Sequence, residues 1–194
     1  MTKLRVLIAC EFSGIVREAF KARGHDAWSC DLLPTEIPGQ HIQDDVLKYL
    51  DEGWDLMIAH PPCTYLSYAG KGHWDDPGRA ELREAALDFF LRLYNAPIGY
   101  VCVENPRGYP LQAFRPADQR VEPFMFGSPE RKRTYLWLRN LPLLNPTCPL
   151  WDYGTPKVEA SGKRRWFTDR GSSDSHYRSR TFPSIAKAMA EQWG

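Results

Sequence analysis

Apolar and polar positions recur with two different periods along the first half of the chain, and the periods predict its elements. Leu4-Arg5-Val6-Leu7-Ile8-Ala9 is an apolar, β-branched run of the kind that forms a buried strand. From Gly14 to Arg23, Ile15, Val16, Ala19, Phe20 and Ala22 fall at helical spacing, and Gly24 follows as a helix-closing residue. Asp26 to Cys30 predicts a second strand, Val46 to Leu50 a short helix, and Asp55 to Ala59 a third strand stopped by Pro61-Pro62. After Pro77-Gly78 a longer helix is expected. Leu82, Ala85, Ala86, Phe89, Phe90 and Leu93 form its apolar face, opposite Arg83, Glu84, Asp88 and Arg92. Ile98 to Val103 and Thr134 to Leu138 read as further strands.

This strand-helix alternation predicts an α/β fold with a doubly wound, mostly parallel sheet. Right-handed crossovers would bring the loops after the strands to one edge, where such folds bind ligands. From Arg139 to Arg180 the periodicity is lost among prolines, glycines and polar residues, so this stretch is expected to be an insertion within one 194-residue domain. Residues 181–194 are expected to close the chain as a helix, with Ser184 as N-cap and Ile185, Met189 and Trp193 on one face.

Composition narrows the functional class. With 43% hydrophobic and 25% charged residues, the chain matches soluble globular proteins. No run is long enough to span a bilayer and no secretory signal is evident, so a cytoplasmic protein is expected. Five cysteines without repeated spacing argue against a disulfide scaffold or a zinc site, and no metal is expected. The net charge of +1 conceals a gradient: residues 1–100 hold 10 Lys/Arg against 15 Asp/Glu, and the remainder 15 against 9. The second half suits a phosphate backbone, although a solvated basic face has the same composition.

Candidate chemistry gathers at the predicted strand ends. Glu11-Phe12-Ser13-Gly14 would let a ligand approach the backbone at a helix N-terminus, or form a plain tight turn. Asp31 follows the second strand, where an acid can hold ribose hydroxyls or simply cap a turn. Asp44-Asp45 would receive an adenine amino group or cap the next helix. Pro61-Pro62 holds the backbone extended and presents Cys63, either a nucleophile or a structural thiol. Glu104, in Val103-Glu104-Asn105-Pro106, places an acid at a neighbouring strand end. Thiol addition to carbon 6 of cytosine requires charge relief at ring nitrogen 3. A carboxyl group with a pKa raised by an apolar pocket could give it.

In this order the motifs resemble those of the cytosine carbon-5 DNA methyltransferase family. The similarity runs from about Val6 to Gln192: "EFSG" resembles the cofactor loop, Asp31 the ribose acid, and "QDDV" the adenine segment. "PPCTYLS" resembles the nucleophile motif and "VENP" the Glu-Asn motif. "PERKRTYLWL" resembles the basic strand, with Arg131 and Arg133 matching its two arginines, and "FPSIAKAMAEQ" the returning helix. The resemblance implies a Rossmann-like methyltransferase domain that is monomeric, needs no metal, and uses S-adenosylmethionine on a cytosine flipped out of duplex or single-stranded DNA. It implies catalysis by Cys63 and Glu104 with Arg131 and Arg133. Glu11, Phe12, Ser13, Gly14, Asp31, Leu32, Asp45 and Pro61 would hold the cofactor. Ser67, Lys163, Arg164, Arg165, Arg178 and Arg180 would contact nucleic acid, the basic residues interleaved with aromatics that stack bases or pack on the core.

The chain departs from the family at three places. The glycine-rich loop is reduced to Ser13-Gly14, Pro129 stands where glutamine is usual, and residues 139–180 are short for a target-recognition region. Short or relaxed sequence specificity is therefore expected, as in a phage or mobile-element enzyme acting in a bacterial cytoplasm. RNA or free cytosine nucleotide as substrate, a modified methyl group, and a non-catalytic nucleic-acid-binding role remain open alternatives.

Overall fold

The computed structural model describes residues 2–128, 130–148, 157–158, 160–162, 164–165 and 179–194. Its main sheet is built from β1 (Arg5–Ala9), β2 (Asp26–Asp31), β3 (His41–Gln43), β4 (Leu56–Ala59), β5 (Tyr100–Pro106), β6 (Gln119–Val121) and β7 (Thr134–Arg139). The strands lie in the order β3-β2-β1-β4-β5-β7-β6. Strands β1 to β5 pair in parallel, whereas β7 runs antiparallel to both β5 and β6. The chain winds outward from β1 through β2 to β3, then restarts beside β1 with β4 and continues to β5. That reversal is the topological switch point of a doubly wound Rossmann-like sheet, and its crevice opens between the loops after β1 and β4.

Both faces of the sheet are covered, which explains why its central strands are apolar throughout rather than alternating. Val6 and Ile8 of β1 turn to one face while Leu7 and Ala9 turn to the other, as the two-residue strand period requires. On the first face lie Val16 and Phe20 of α1 (Ile15–Ala22) together with the C-terminal helix. On the second, Leu87, Phe90 and Leu93 of α2 (Arg79–Tyr94) meet Val101, Val103 and Trp137. Phe90 and Trp137 stand edge to face at 5.1 Å. A short α3 (Pro110–Ala113) follows β5, and α4 (Pro183–Trp193) is the closing helix.

Several boundaries differ from expectation. Strands β3 and β6 are three residues each, too short to show a period. The helix expected over Val46 to Leu50 is a single 3-10 turn, Val46–Lys48. The buried face of α2 runs through Leu87 rather than Leu82 and Ala85, both exposed, because the first turns of the helix extend past the sheet. Phe182, not Ser184, precedes α4, and Ser184 lies inside it, where its hydroxyl accepts from Ser128 at 2.8 Å. Strand β5 continues past Val103 to Pro106 because β7 pairs with it as far as Pro106 with Thr134. Glu104 therefore lies within a strand rather than at its end. In the 139–180 stretch, β8 (Lys157–Val158) and β9 (Arg164–Arg165) form an antiparallel pair.

Candidate active site

A cavity of about 960 Å³ opens along the strand ends at the switch point. Cys10, Glu11, Phe12, Ser13, Asp31 and Leu33 line one side, and His60, Pro62, Cys63, Thr64 and Ser67 the other. Arg131, Lys132, Arg133 and Arg180 form a basic rim, with Glu122 also among the lining residues. This volume is at the upper end for small-molecule pockets, enough for a nucleoside cofactor beside a single base.

The nucleophile candidate follows from strand pairing. Strands β4 and β5 are parallel with Leu56 opposite Tyr100 and Ala59 opposite Val103. Carrying that register one step further sets His60 beside Glu104, and another step sets Pro61 beside Asn105. Both pairs are joined: His60 Nδ1 lies 3.2 Å from Glu104 Oε2, and Asn105 Nδ2 donates to the Pro61 carbonyl at 3.2 Å. Pro61 is buried, so this bond anchors the base of the two-proline segment, and Cys63 emerges exposed in the cavity wall. The Cys63 carbonyl accepts from Leu66 N at 3.1 Å and Ser67 N at 2.8 Å, folding the chain back at once. Tyr68 N then donates to Arg107 O at 3.0 Å and Tyr109 N to Leu66 O at 2.7 Å. These bonds staple the loop after Cys63 to the loop after Glu104. Only glycine fits at position 108, since a Cβ there would overlap the Leu66 carbonyl.

Cys10 is the other thiol lining the cavity. Burial, reinforced by the charges of Asp31, Cys30 and Asp45, pushes its pKa far above the ordinary thiol value and so suppresses its thiolate. Cys30 is pushed up to about 12, first by burial, and buried Cys102 also rises. Cys63 is thus the exposed cysteine of the cavity wall, and Cys148, also exposed, does not line it.

Glu104 behaves differently from the sequence expectation. Burial pushes its carboxyl up, but hydrogen bonds from His60 and Thr134 and the charge of Lys132 outweigh that, leaving its pKa below the ordinary value. It is an ionised carboxylate, 15% exposed, and it does not line the cavity; His60, 8% exposed, does. His60 Nε2 is buried and has no hydrogen-bond partner among the described residues.

At the end of β1, Glu11 fills the role that a side-chain cap would take. Its Oε1 accepts from Val16 N at 2.7 Å and Ser13 Oγ at 3.1 Å, and its Oε2 accepts from Arg17 N at 3.2 Å. The N-terminus of α1, expected to attract a ligand's anion, is therefore occupied by the chain's own carboxylate. Burial raises the Glu11 pKa against the opposing effects of His60 and these donors. Gly14 does not line the cavity. Its positive φ of 75° turns the chain into α1, and a Cβ would meet Arg17 Nη2 at 2.7 Å.

Asp31 does line the cavity. Its Oδ1 accepts from Leu33 N at 2.9 Å and its Oδ2 has no hydrogen bond among the described residues. Phe12 and Leu33 line the same cavity. Leu32 points away at 72% exposure, so Leu33 is the cavity residue of that pair. Asp45 caps the Val46–Lys48 turn through Leu47 N at 3.0 Å and does not line the cavity. Neither does Pro61, which acts through its carbonyl.

Three arginines converge on Glu122, a residue the sequence reading passed over. Glu122 is 1% exposed; Arg131 Nε lies 3.4 Å from it, and Arg120 and Arg133 Nε 4.0 Å each. Nothing in the local sequence marked it, since Glu122 lies 9 residues before Arg131. Ser67 Oγ caps the Tyr68–His73 turn through Ala69 N at 3.1 Å while lining the cavity. Arg180 pairs with Glu36 at 2.6 Å, and its carbonyl accepts from Lys132 Nζ at 3.2 Å, so it ties two cavity walls together. Lys163, Arg178 and Pro129 lie outside the described residues, and Arg164 and Arg165 are described only as the backbone of β9. Among the described residues no cluster of His, Cys, Asp or Glu could hold a metal, and no helix is long and apolar enough to cross a membrane.

No family model and no curated protein matches the chain. Among solved structures, one similar chain is a protein assigned as a DNA modification methyltransferase encoded within an E. coli prophage. It has 17% identity and a TM-score of 0.49, and the match covers 70% of this chain and 46% of that one. The chain thus spans less than half the length of that structure.

Proposed function

We propose that this protein methylates carbon 5 of cytosine in DNA, with Cys63 as covalent nucleophile and S-adenosylmethionine as methyl donor. One observation carries the reading: an exposed thiol stands on a two-proline segment, coupled by strand register to a His-carboxylate pair, in a cavity that Asp31 also lines. Thiol addition to an electron-poor ring and charge relief at the ring nitrogen are the two demands of that chemistry, and both groups are present on one edge.

Cys63 Sγ, as thiolate, forms a bond to carbon 6 and makes carbon 5 nucleophilic. Ring nitrogen 3 takes a proton from the His60–Glu104 pair as the electrons shift. Bound S-adenosylmethionine supplies an electrophilic methyl group to carbon 5 from its sulfonium. Carbon 5 then gives its proton to solvent, the Sγ–C6 bond breaks and nitrogen 3 returns its proton. Asp31 would hold the cofactor's ribose hydroxyls, with Phe12 and Leu33 against its adenine. Glu11, which lines the cavity while its oxygens hold the N-terminus of α1, would fix the loop against which the cofactor lies. The target base must leave the stack to reach Cys63. Arg133 and Arg131, held by Glu122, meet its phosphates at the rim.

Nucleoside mass spectrometry of DNA incubated with the protein and S-adenosylmethionine tests this reading. The expected product is 5-methylcytosine, lost with Cys63→Ser. N4-methylcytosine or N6-methyladenine instead would refute it, as would 5-methylcytosine formed only in RNA.

A further inference from the structure

Thr134 is paired on both sides, with Pro106 of β5 and with Val121 of β6. One step outward from that row, Arg107, Arg133 and Glu122 stand at three adjacent strand ends. Arg120 lies one step inward, opposite Tyr135, and its Nε comes within 4.0 Å of Glu122 Oε1. We propose that Arg107, Arg133 and Arg120 form a phosphate-binding track along which the DNA strand carrying the target base leaves the cavity. This deepens the DNA reading above and rests on it.

Position is the first support. Pro106, Glu122 and Arg133 line the cavity, so the row starts at its mouth and runs away from the switch point to the outermost strand, β6. Neighbouring strands lie about 4.8 Å apart, which gives three strand ends a span of about 10 Å. One strand of B-DNA carries a phosphate for roughly every 3.4 Å of axis, so such a span meets about three of them.

Availability is the second. Other arginines spend their N–H groups on the chain itself: Arg139 donates to the carbonyls of Tyr94, Ala96 and Ile98, and Arg17 to Ser29, Thr35 and Ile37. Arg107 and Arg120 are exposed, and neither makes a hydrogen bond among the described residues. The Arg107 guanidinium lies 5.7 Å from the centre of the Tyr68 ring, a contact that orders the side chain without using its N–H donors.

Charge is the third. Arg107, Arg120, Arg131 and Arg133 outnumber the acids among them, Glu122 and Glu130. Glu122 is 1% exposed and pairs with Arg120, Arg131 and Arg133 through Nε, so one buried carboxylate positions three cations and leaves an excess of positive charge. Guanidinium groups do not lose their proton, so the track stays cationic at any working pH. Contacts of this kind hold the phosphate backbone and read no bases.

Titrations of cytosine-containing duplex DNA at several salt concentrations test the track in Arg107→Ala, Arg120→Ala and the double variant. Each single change should lower the log–log salt slope by about one, and the double by about two, equally for unrelated sequences. Arg107→Lys and Arg120→Lys, which keep the charge, should hold the native slope. Arg92, exposed on the last turn of α2 where the chain leads back to β5, is the control, and Arg92→Ala should leave the slope unchanged. Melting curves near native for all variants would show that the fold is intact. A native slope in both Arg107→Ala and Arg120→Ala would overturn the track, as would an equal loss in Arg92→Ala. Failure of the native protein to bind and methylate DNA would be a different outcome, sinking the underlying reading and the track with it.

Discussion

Asn105 donates its side-chain amide to the carbonyl of Pro61 at 3.2 Å, tying the segment that presents Cys63 to the strand that carries Glu104. Both partners are buried, so the bond is shielded from water. It exists because the β4–β5 register that aligns Ala59 with Val103 also aligns the residues beyond them. Asn105→Leu should remove the donor and leave the Pro61 carbonyl unsatisfied, costing about 1–3 kcal/mol of stability. The rate of attack by Cys63 should fall while cofactor affinity stays near native. Urea denaturation and single-turnover kinetics check the two halves of this prediction.

Gly108 permits the second staple between the same two loops, where a Cβ would meet the Leu66 carbonyl. Gly108→Ala should force the Ser67–Gly108 bridge apart. A backbone clash of this kind is worth about 1–3 kcal/mol, or a melting temperature lower by several degrees. Hydrogen exchange at Tyr68 N and Tyr109 N should accelerate, and unchanged protection of both amides would contradict the prediction.

The arginine rim should divide into two roles. Arg133 is exposed and 4.0 Å from Glu122, so Arg133→Ala should lower the salt dependence of DNA binding by about one counterion, with little effect on folding. Arg131 is nearer, at 3.4 Å, and more covered, and its removal strips the buried Glu122 of its closest cation. Arg131→Ala should therefore destabilise the fold as well as weaken binding. Titrations of DNA binding at several salt concentrations, paired with melting curves, separate the two.

Acid should expose a separate structural element. The Asp44 carboxylate accepts from Lys48, Asp45 N and Tyr49, which lower its pKa to about 2. A depressed pKa contributes stability above the unfolded value, near 4, and that contribution is lost as pH falls toward 2. Asp44→Asn should be less stable than native at neutral pH, and the difference should close between pH 4 and pH 2. A difference that is constant across that range would rule out the linkage.

Much of the scaffold was legible from periodicity. The central strands are buried on both faces and read as unbroken apolar runs, and α1 carries its apolar stripe against α4. The short edge elements β3 and β6 were not legible, because three residues carry no period. The face of α2 was shifted toward its N-terminus because spacing cannot show where a helix overhangs its sheet. There Arg79 and Arg83 stack on Tyr65 and Trp74 instead of packing on the core.

Site residues divide along the same line. Cys63 and Asp31 were legible because Asp31 ends β2 and Cys63 follows the prolines that stop β4, and both line the cavity. The state of Glu104 was not, since it depends on His60, which becomes its neighbour only through the pairing of β4 with β5. Glu11 lines the cavity as well as capping α1, a second role that spacing could not show, whereas Gly14 packs beside Arg17 away from the cavity. Glu122 lies 9 residues before Arg131 and is brought to it by the turn between β6 and β7.

The central claim, that Cys63 attacks a cytosine ring, is tested most directly by covalent trapping. DNA carrying 5-fluorocytosine is incubated with the protein and S-adenosylmethionine, and the mixture is denatured. Fluorine cannot leave carbon 5 as a proton does, so an adduct surviving denaturation and mapping to the Cys63 peptide is predicted, absent with Cys63→Ala. No adduct from the native protein, or an undiminished one from Cys63→Ala, would contradict the account.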